Sequence, residues 1–318
     1  MGAQLRVYRR RIKSVQSTKK ITKAQELIAA SRIAKAQARV HAARPYAEEI
    51  KHALAELSGD TTIKHPMLTG VENPRRAGIL LVTSDRGLAG GYNANAIKAA
   101  NELAARLEGE GKQIERYVIG RKGTGYFTFR RIELAGSWTG FSEQPKFANA
   151  KPAADAVVEA LIATSEGTVG EGADARPGID ELWLIFTEFV NSVTQTPRAV
   201  QLAPVKGAAA ASAPKGEDGA EAAKPQITAF YEFEPEAGKL IGALLPRYIT
   251  SRIFSGLLES AASESAARRQ AMKSATDNAT ELIRTYTRLA SQARQAEITQ
   301  EISEIVGGAD ALAASGEE

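Results

Sequence analysis

The run Thr83-Ser84-Asp85-Arg86-Gly87-Leu88-Ala89-Gly90-Gly91-Tyr92-Asn93 follows an apolar stretch and precedes a helical one. Phosphate-cradling loops lie at such places, because backbone N–H groups at a helix start point at the ligand. The run matches neither the P-loop nor the dinucleotide fingerprint. No Lys-Ser/Thr follows the glycines, and their spacing differs. A tight strand-to-helix crossover that needs small residues is the favoured reading. Asp85 and Arg86 could form an acid/base pair, but no histidine or second carboxylate lies nearby in sequence to complete a site. A salt bridge within the loop is the expected role. His41, His52 and His65 are the three histidines, and none has metal-ligand spacing. The absence of cysteine excludes a disulfide, a thiolate zinc site and a thiol nucleophile. The cluster Arg9-Arg10-Arg11-Lys13 could hold nucleic acid, yet it lacks interleaved aromatics and reads equally as a solvated helix face. No catalytic, cofactor-binding or metal-binding residue is expected.

The elements that would carry these residues are unusual at the two ends. The first helix is expected from about Gln4 to Ser58, roughly 80 Å at 1.5 Å per residue. Leu5, Ile12, Val15, Ile21, Leu27, Ile28, Ile33 and Val40 mark a loose apolar stripe, which Tyr46, Ile50, Leu54 and Leu57 continue past Pro45. The last helix is expected from Pro235 to Val306, where Gly307-Gly308 should break it. Leu240, Leu244, Ile249, Ile253 and Leu257 would anchor its first part. Ala275, Ala279, Leu282, Tyr286, Leu289, Ala293 and Ala296 alternate steps of four and three, the spacing of a seam facing a partner helix. A domain of this size cannot cover helices that long, so the two ends are expected to pair and project as an antiparallel hairpin. Arg268, Gln295 and Thr299 lie on or beside the C-terminal seam, as solvent-facing or register-setting positions.

Between the helices, strands alternate with helices. Strands are expected at Ala77–Thr83, Ile114–Ile119, weakly at Ile132–Ala135, and at Ile179–Val190. Helices are expected at Asn93–Leu107, Gly123–Arg130 and Ala148–Ala163. Pro197–Pro204 and Gln226–Phe233 are further strand-like runs. The fold class is α/β: a long antiparallel coiled coil of the terminal helices plus a central Rossmann-like domain with a mostly parallel sheet. The expected division is a coiled-coil helix over 1–58, a base domain over 59–234, and a second coiled-coil helix with a tail over 235–318. Two segments, about 165–178 and 203–225, look inserted and read as mobile surface loops.

Net charge is +4, unevenly spread: residues 1–40 hold eleven Lys/Arg and a single acid, Glu26. A basic helix end implies an acidic partner, whether phosphate, lipid head groups or carboxylates. No run is long and apolar enough to span a bilayer, and the start lacks the apolar core of a signal peptide. A soluble intracellular chain is expected, one that could dock on a membrane complex.

Three separated segments carry a resemblance. Arg10-Arg11-Ile12, Ser14 through Ala24 and Ala29-Ala30-Ser31 resemble the start of the ATP synthase γ subunit family. Thr83 through Leu88 and Gly90-Gly91-Tyr92-Asn93 are similar to that family's loop. Ala266-Ala267-Arg268, Ala271-Met272, Ala275 through Ala279, Ala293 through Glu301 and Glu304 through Ala309 match its C-terminus. Gln25 stands where the family commonly has Met, and Ala89 where Cys is common. Neither insert carries the cysteine pair of plant chloroplast members.

The resemblance implies a non-catalytic rotor subunit of a proton-translocating ATP synthase. Its partners would be the ring of three α and three β subunits, the ε subunit and the c ring. Its place would be peripheral, on the cytoplasmic face of a bacterial plasma membrane, touching the membrane only through the complex. It implies no nucleic acid and no cofactor. Lys19, Lys20, Lys23, Gln25, Arg268, Gln295 and Thr299 would meet the stator ring; Tyr231, Phe233 and Glu234 would meet the c ring and ε. Two other readings stay open on the residues alone. One is a nucleic-acid-binding protein with a basic helical arm. The other is a phosphate-ligand enzyme built on the glycine loop, for which no catalytic side chains are apparent.

Overall fold

The computed structural model describes residues 3–58, 65–170, 172, 175–205 and 237–315. The elements in chain order are α1 (Ala3–Ser58), α2 (Pro66–Thr69), β1 (Arg76–Val82), α3 (Tyr92–Gly109), β2 (Gln113–Ile119), α4 (Arg121–Phe129) and β3 (Gly136–Trp138). There follow α5 (Phe147–Ala163), β4 (Thr168–Val169), β5 (Arg176–Pro177), β6 (Glu181–Phe189), β7 (Gln195–Ala203) and α6 (Ala237–Ser315). The chain divides into two compact units: Met1–Ala30 with Arg268–Glu318, and Ser31–Ala267.

In the Ser31–Ala267 unit the sheet order is β3-β2-β1-β6-β7. The first four strands are parallel and β7 runs antiparallel to β6. A right-handed crossover needs a helix between parallel neighbours, and α3 and α4 supply it. β1 shows why its sequence is an unbroken apolar run. Ala77, Ile79 and Leu81 face α3 and α4, whereas Leu80 and Val82 face the core shared with α5 and α6. Successive side chains point to opposite faces, so a strand covered on both sides is apolar throughout.

The terminal helices contribute to the second core through Ile50 and Leu54 of α1 and through Ile241, Leu245, Ile249, Ile253 and Leu257 of α6. The spacing of four in α6 is one face of a helix. Farther on, Ser260 to Ala266 are all buried. The Thr187 N–H donates to Ser260 Oγ at 3.2 Å, and Ser263 Oγ donates to the Thr187 carbonyl at 2.9 Å. Opposite Thr187 across the sheet stands Pro197, which has no N–H.

In the other unit, α1 and α6 pair antiparallel, with Tyr8 stacked on Tyr286 at 6.4 Å and Thr22 Oγ1 bonded to Thr276 Oγ1 at 2.7 Å. The covered positions of α1 there include Leu5, Tyr8, Ile12, Val15, Lys19, Thr22, Glu26 and Ala29. Their steps alternate three and four, a heptad seam. In the Ser31–Ala267 unit Ile33, Ala36, Val40, Ala43, Ala47, Ile50 and Leu54, among the covered positions of α1, keep the same alternation.

Several expectations change. On α1, Ile21, Leu27 and Ile28 lie outside the seam at 62%, 60% and 52% exposure. On α6 Met272, Thr276, Ala279, Ile283, Tyr286, Ala290, Ala293 and Glu297 are covered, with Ala275 and Leu289 of the expected seam covered beside them, whereas Leu282 and Ala296 face outward. The helix also continues through Gly307-Gly308 to Ser315. Each glycine costs about 1 kcal/mol against alanine, and the alanine-rich segment around them sustains the helix. The weak strand lies at Gly136–Trp138 rather than Ile132–Ala135. Ile132 instead closes α4: its N–H reaches the Phe127 carbonyl at 3.0 Å, with Arg131 at φ +57°, a left-handed helix stop. In the first insert, Thr168–Val169 pair with Arg176–Pro177, so its described residues are in part a short antiparallel hairpin. Of the second insert, residues 206–225 lie outside the described residues, as does the run Gln226–Phe233.

Candidate functional site

The glycine-containing loop leaves the carboxyl end of β1, beside the point where the strand order reverses, which is where open parallel sheets bind ligands. Its geometry shows what it does. Across the turn from it lie the first N–H groups of α4, which need acceptors from outside their own helix. The Arg121 N–H goes to Asp85 Oδ1 at 3.2 Å, the Lys122 N–H to the Ser84 carbonyl at 3.0 Å, and the Gly123 N–H to Thr83 Oγ1 at 2.9 Å. The loop thus caps the helix from across the turn. Gly120 makes the approach possible. It sits at φ +102°, and a Cβ there would fall 2.2 Å from the Thr83 carbonyl oxygen, so only glycine fits. On the other side, Asn93 Oδ1 accepts from the Ser84 N–H at 2.9 Å and fastens the loop to α3.

Asp85 is the centre of this arrangement. Its Oδ2 accepts from the N–H groups of Gly140 at 2.8 Å and Ser142 at 2.9 Å, and the Asp85 N–H donates to Ser142 Oγ at 2.9 Å. Arg121 Nε lies 3.8 Å from Oδ1. Burial pushes the carboxyl up. The backbone N–H bonds from Ser142, Gly140 and Arg121, with the Ser142 hydroxyl, outweigh burial and hold it below the ordinary aspartate value. Such a carboxylate is fixed as an acceptor and unsuited to carry a proton. Arg86 reaches Glu143 at 3.5 Å, and Arg32 of α1 binds the same carboxylate oxygen at 2.5 Å. Asp85 and Arg86 therefore tie the loop to the 140–143 segment and to α1.

A pH dependence follows from Asp85. With the folded value below the unfolded one, the unfolded chain binds the proton first as pH falls. The stabilisation is complete above the ordinary aspartate value and is lost as pH falls through the lower folded value. Asp85→Asn should be less stable than the parent at pH 7, and the gap should close below about pH 4. Urea midpoints of both proteins from pH 7 to pH 3 measure this; a gap that is constant with pH would refute it.

The helix-pair unit carries the residues that the resemblance assigns to a stator contact. Lys20, Lys23 and Gln25 are exposed on α1, Lys23 with an ion pair to Glu26 at 3.1 Å. Lys19 is half-buried in the seam. Gln295 and Thr299 are exposed one turn apart on α6, and Thr299 Oγ1 donates to the Gln295 carbonyl at 3.0 Å. Arg268 differs from them: it is 5% exposed, packed inside rather than presented. Arg11 of the basic cluster lies over the Tyr286 ring, 5.6 Å from its centroid. Beside the polar positions are exposed apolar ones, Ile21, Leu27 and Ile28 on α1 and Ile298, Ile302, Ile305 and Val306 on α6. Periodicity alone assigned the α1 set to the seam; only the seam's actual register reveals them as surface. Tyr231, Phe233 and Glu234 lie outside the described residues. Among the described residues no cluster of three or more His, Asp or Glu could hold a metal ion, and no helix is long and apolar enough to cross a membrane.

The comparisons with known proteins agree with this arrangement. The ATP synthase family model matches residues 4–312. The ATP synthase gamma chain of Frankia casuarinae is 56% identical over 313 residues, covering 98% of this chain and 99% of that protein. That of Saccharopolyspora erythraea is 53% identical, covering 99% and 100%. Among solved structures, a chain of the Euglena gracilis mitochondrial ATP synthase (OSCP/F1/c-ring, rotational state 3) superposes with a TM-score of 0.67 at 15% identity. It covers 100% of this chain and 97% of its own. A chain of the Tetrahymena thermophila mitochondrial ATP synthase central stalk and c ring gives 0.55 at 21% identity, covering 80% and 99%. These two show the shared fold. With a family match over nearly its whole length and full-length relatives above half identity, the chain belongs to the ATP synthase gamma-chain family.

Proposed function

We propose that the chain is the central rotor of a proton-translocating ATP synthase, seated peripherally on the cytoplasmic face of a bacterial plasma membrane. It turns with a c ring and forces the β catalytic sites of an α/β ring through states of different nucleotide affinity. It makes and breaks no bonds itself. Helices α1 and α6 serve as the shaft, and the sheet-bearing segment between them as the base that meets the c ring and ε. The observation that carries this reading is the pair of uninterrupted helices, 56 and 79 residues long, each running through both units. Each helix runs on past one internal proline, Pro45 or Pro246, which omits a single ladder hydrogen bond. Twist applied to one end is carried to the other, and the heptad seam keeps the two from slipping.

A rotor shifts a site only by contacting its states differently. Lys20, Lys23, Gln25, Gln295 and Thr299 are the outward polar groups suited to that. The exposed isoleucines and leucines among them suit a sleeve that the shaft must turn within. Gln295→Ala with Thr299→Ala should lower ATP synthesis in reconstituted vesicles about tenfold, equivalent to about 1.4 kcal/mol at the barrier, with unchanged thermal unfolding of the isolated chain. Full synthesis by the double variant, or failure of the chain to assemble when coexpressed with α and β subunits, would count against the reading.

A further inference from the structure

A second surface lies apart from these contacts, in the Ser31–Ala267 unit. α3 and α4 enclose an open trough of about 650 Å³. One wall is a stripe of α3, from Ala94 through Ile97 and Asn101 to Ala105; the other is Lys122 and Tyr126 of α4. The stripe covers three turns, roughly 16 Å at 1.5 Å per residue, so the concavity is elongated. Its lining is mainly apolar. Tyr126 is held in place, with its hydroxyl accepting from Asn101 Nδ2 at 3.0 Å and Arg130 lying over its ring at 3.8 Å. Phe129, at the end of α4, is 86% exposed.

Charge at the trough is net positive: Lys98 and Lys122 line it and Arg130 lies over the ring of Tyr126. Lys98 lines the α3 wall, 3.8 Å from Glu102, the one carboxylate among the lining residues. A mainly apolar stripe of helical length edged by Lys98, Lys122 and Arg130 is complementary to an elongated occupant that has one apolar face and carboxylates along its flanks. We propose that the α3–α4 trough is a docking site for an acidic amphipathic helix of a partner protein. A flat anionic membrane would satisfy the cations but not the concave floor. A small apolar anion would fill a fraction of the stripe.

The test titrates the full chain with a model helix of about four turns, Leu on one face and Glu on its flanks, against the same helix with Lys for Glu. The chain has no cysteine, so Ala105→Cys labelled with an environment-sensitive fluorophore reports occupancy of the trough itself. The Glu helix should bind at least about tenfold more tightly than the Lys helix. Lys98→Glu with Lys122→Glu should reverse that preference, with circular dichroism showing the fold intact. Ala94→Glu, which puts a carboxylate on the α3 wall, should weaken the Glu helix by a similar factor with both lysines in place. Equal binding of the two helices would overturn the proposal. So would silence of the Ala105 reporter on saturation, or sedimentation with phosphatidylglycerol vesicles that the Glu helix does not displace.

Discussion

Ser260→Ala combined with Ser263→Ala is expected to lower the unfolding free energy by about 4 kcal/mol, through two buried backbone groups left without partners. Both serines lie on α6 and are buried, at 2% and 0% exposure. Together they satisfy the N–H and the carbonyl of one residue, Thr187 of β6. Pro197 stands opposite on β7 and has no N–H to give the Thr187 carbonyl in place of Ser263. The two single variants should differ. Loss of Ser260 strands a donor, which a buried N–H tolerates poorly, and loss of Ser263 strands a carbonyl, which tolerates it better. Ser260→Ala should therefore be the more damaging, although its bond is the longer of the two. The pair shares one peptide neighbourhood, so the double loss need not equal the sum. Urea unfolding of the three variants decides the matter; a double variant within about 0.5 kcal/mol of the parent, the range of ordinary surface changes, would show that the hydroxyls are dispensable. On the rotor reading these bonds join the shaft helix to the sheet. The double variant should then also lower coupled synthesis at a temperature where the chain remains folded.

The long helices and the parallel sheet are legible in the sequence because they rest on local signals. Alanine-rich runs of 56 and 79 residues and the apolar strands β1 and β6 need no distant partner to be recognised. The seams were less legible. On α1 three seam positions are Lys19, Thr22 and Glu26, while Ile21, Leu27 and Ile28 point outward. An apolar stripe is a guide to a seam only when the opposite face has no reason to be apolar. A shaft that turns inside a sleeve has such a reason. On α6 the two candidate series share Ala279, Tyr286 and Ala293, and differ by one residue between them: Ala275 or Thr276, Leu282 or Ile283, Leu289 or Ala290, Ala296 or Glu297. Both keep steps of four and three; Ala275 and Leu289 are covered like their neighbours, and only Leu282 and Ala296 of the expected series face outward. Least legible was the glycine loop. Its role depends on Gly140 and Ser142, more than fifty residues from Asp85 in sequence. A motif search sees only the loop, and not the 140–143 segment and the start of α4 that the loop is tied to.

Asp180 is a second such long-range hub, and Asp180→Ala should cost about 3 kcal/mol. Its side chain sits at the amino-terminal end of the sheet, 4% exposed. Oδ2 accepts from the N–H groups of Arg75 at 2.7 Å and Arg76 at 3.1 Å, and Oδ1 accepts from the Ser165 N–H at 2.9 Å. One carboxylate thereby fixes the entry of β1, the exit of α5 and the start of β6. Hydrogen bonds to a charged acceptor are worth about 1.5–3 kcal/mol each; Arg75 is exposed and Ser165 only partly covered, so water can replace part of that, which sets the smaller total. Asp180→Asn separates shape from acceptor count. The amide has nearly the same outline but only one acceptor oxygen. Turned one way it keeps Arg75 and Arg76 and sets its NH₂ against the Ser165 N–H; turned the other way it loses both arginine amides. The asparagine variant should therefore fall close to the alanine variant rather than to the parent, with the loss read as a shift in urea midpoint at unchanged slope. If asparagine proves as stable as aspartate, the three N–H groups have other partners and the hub is not what joins these elements.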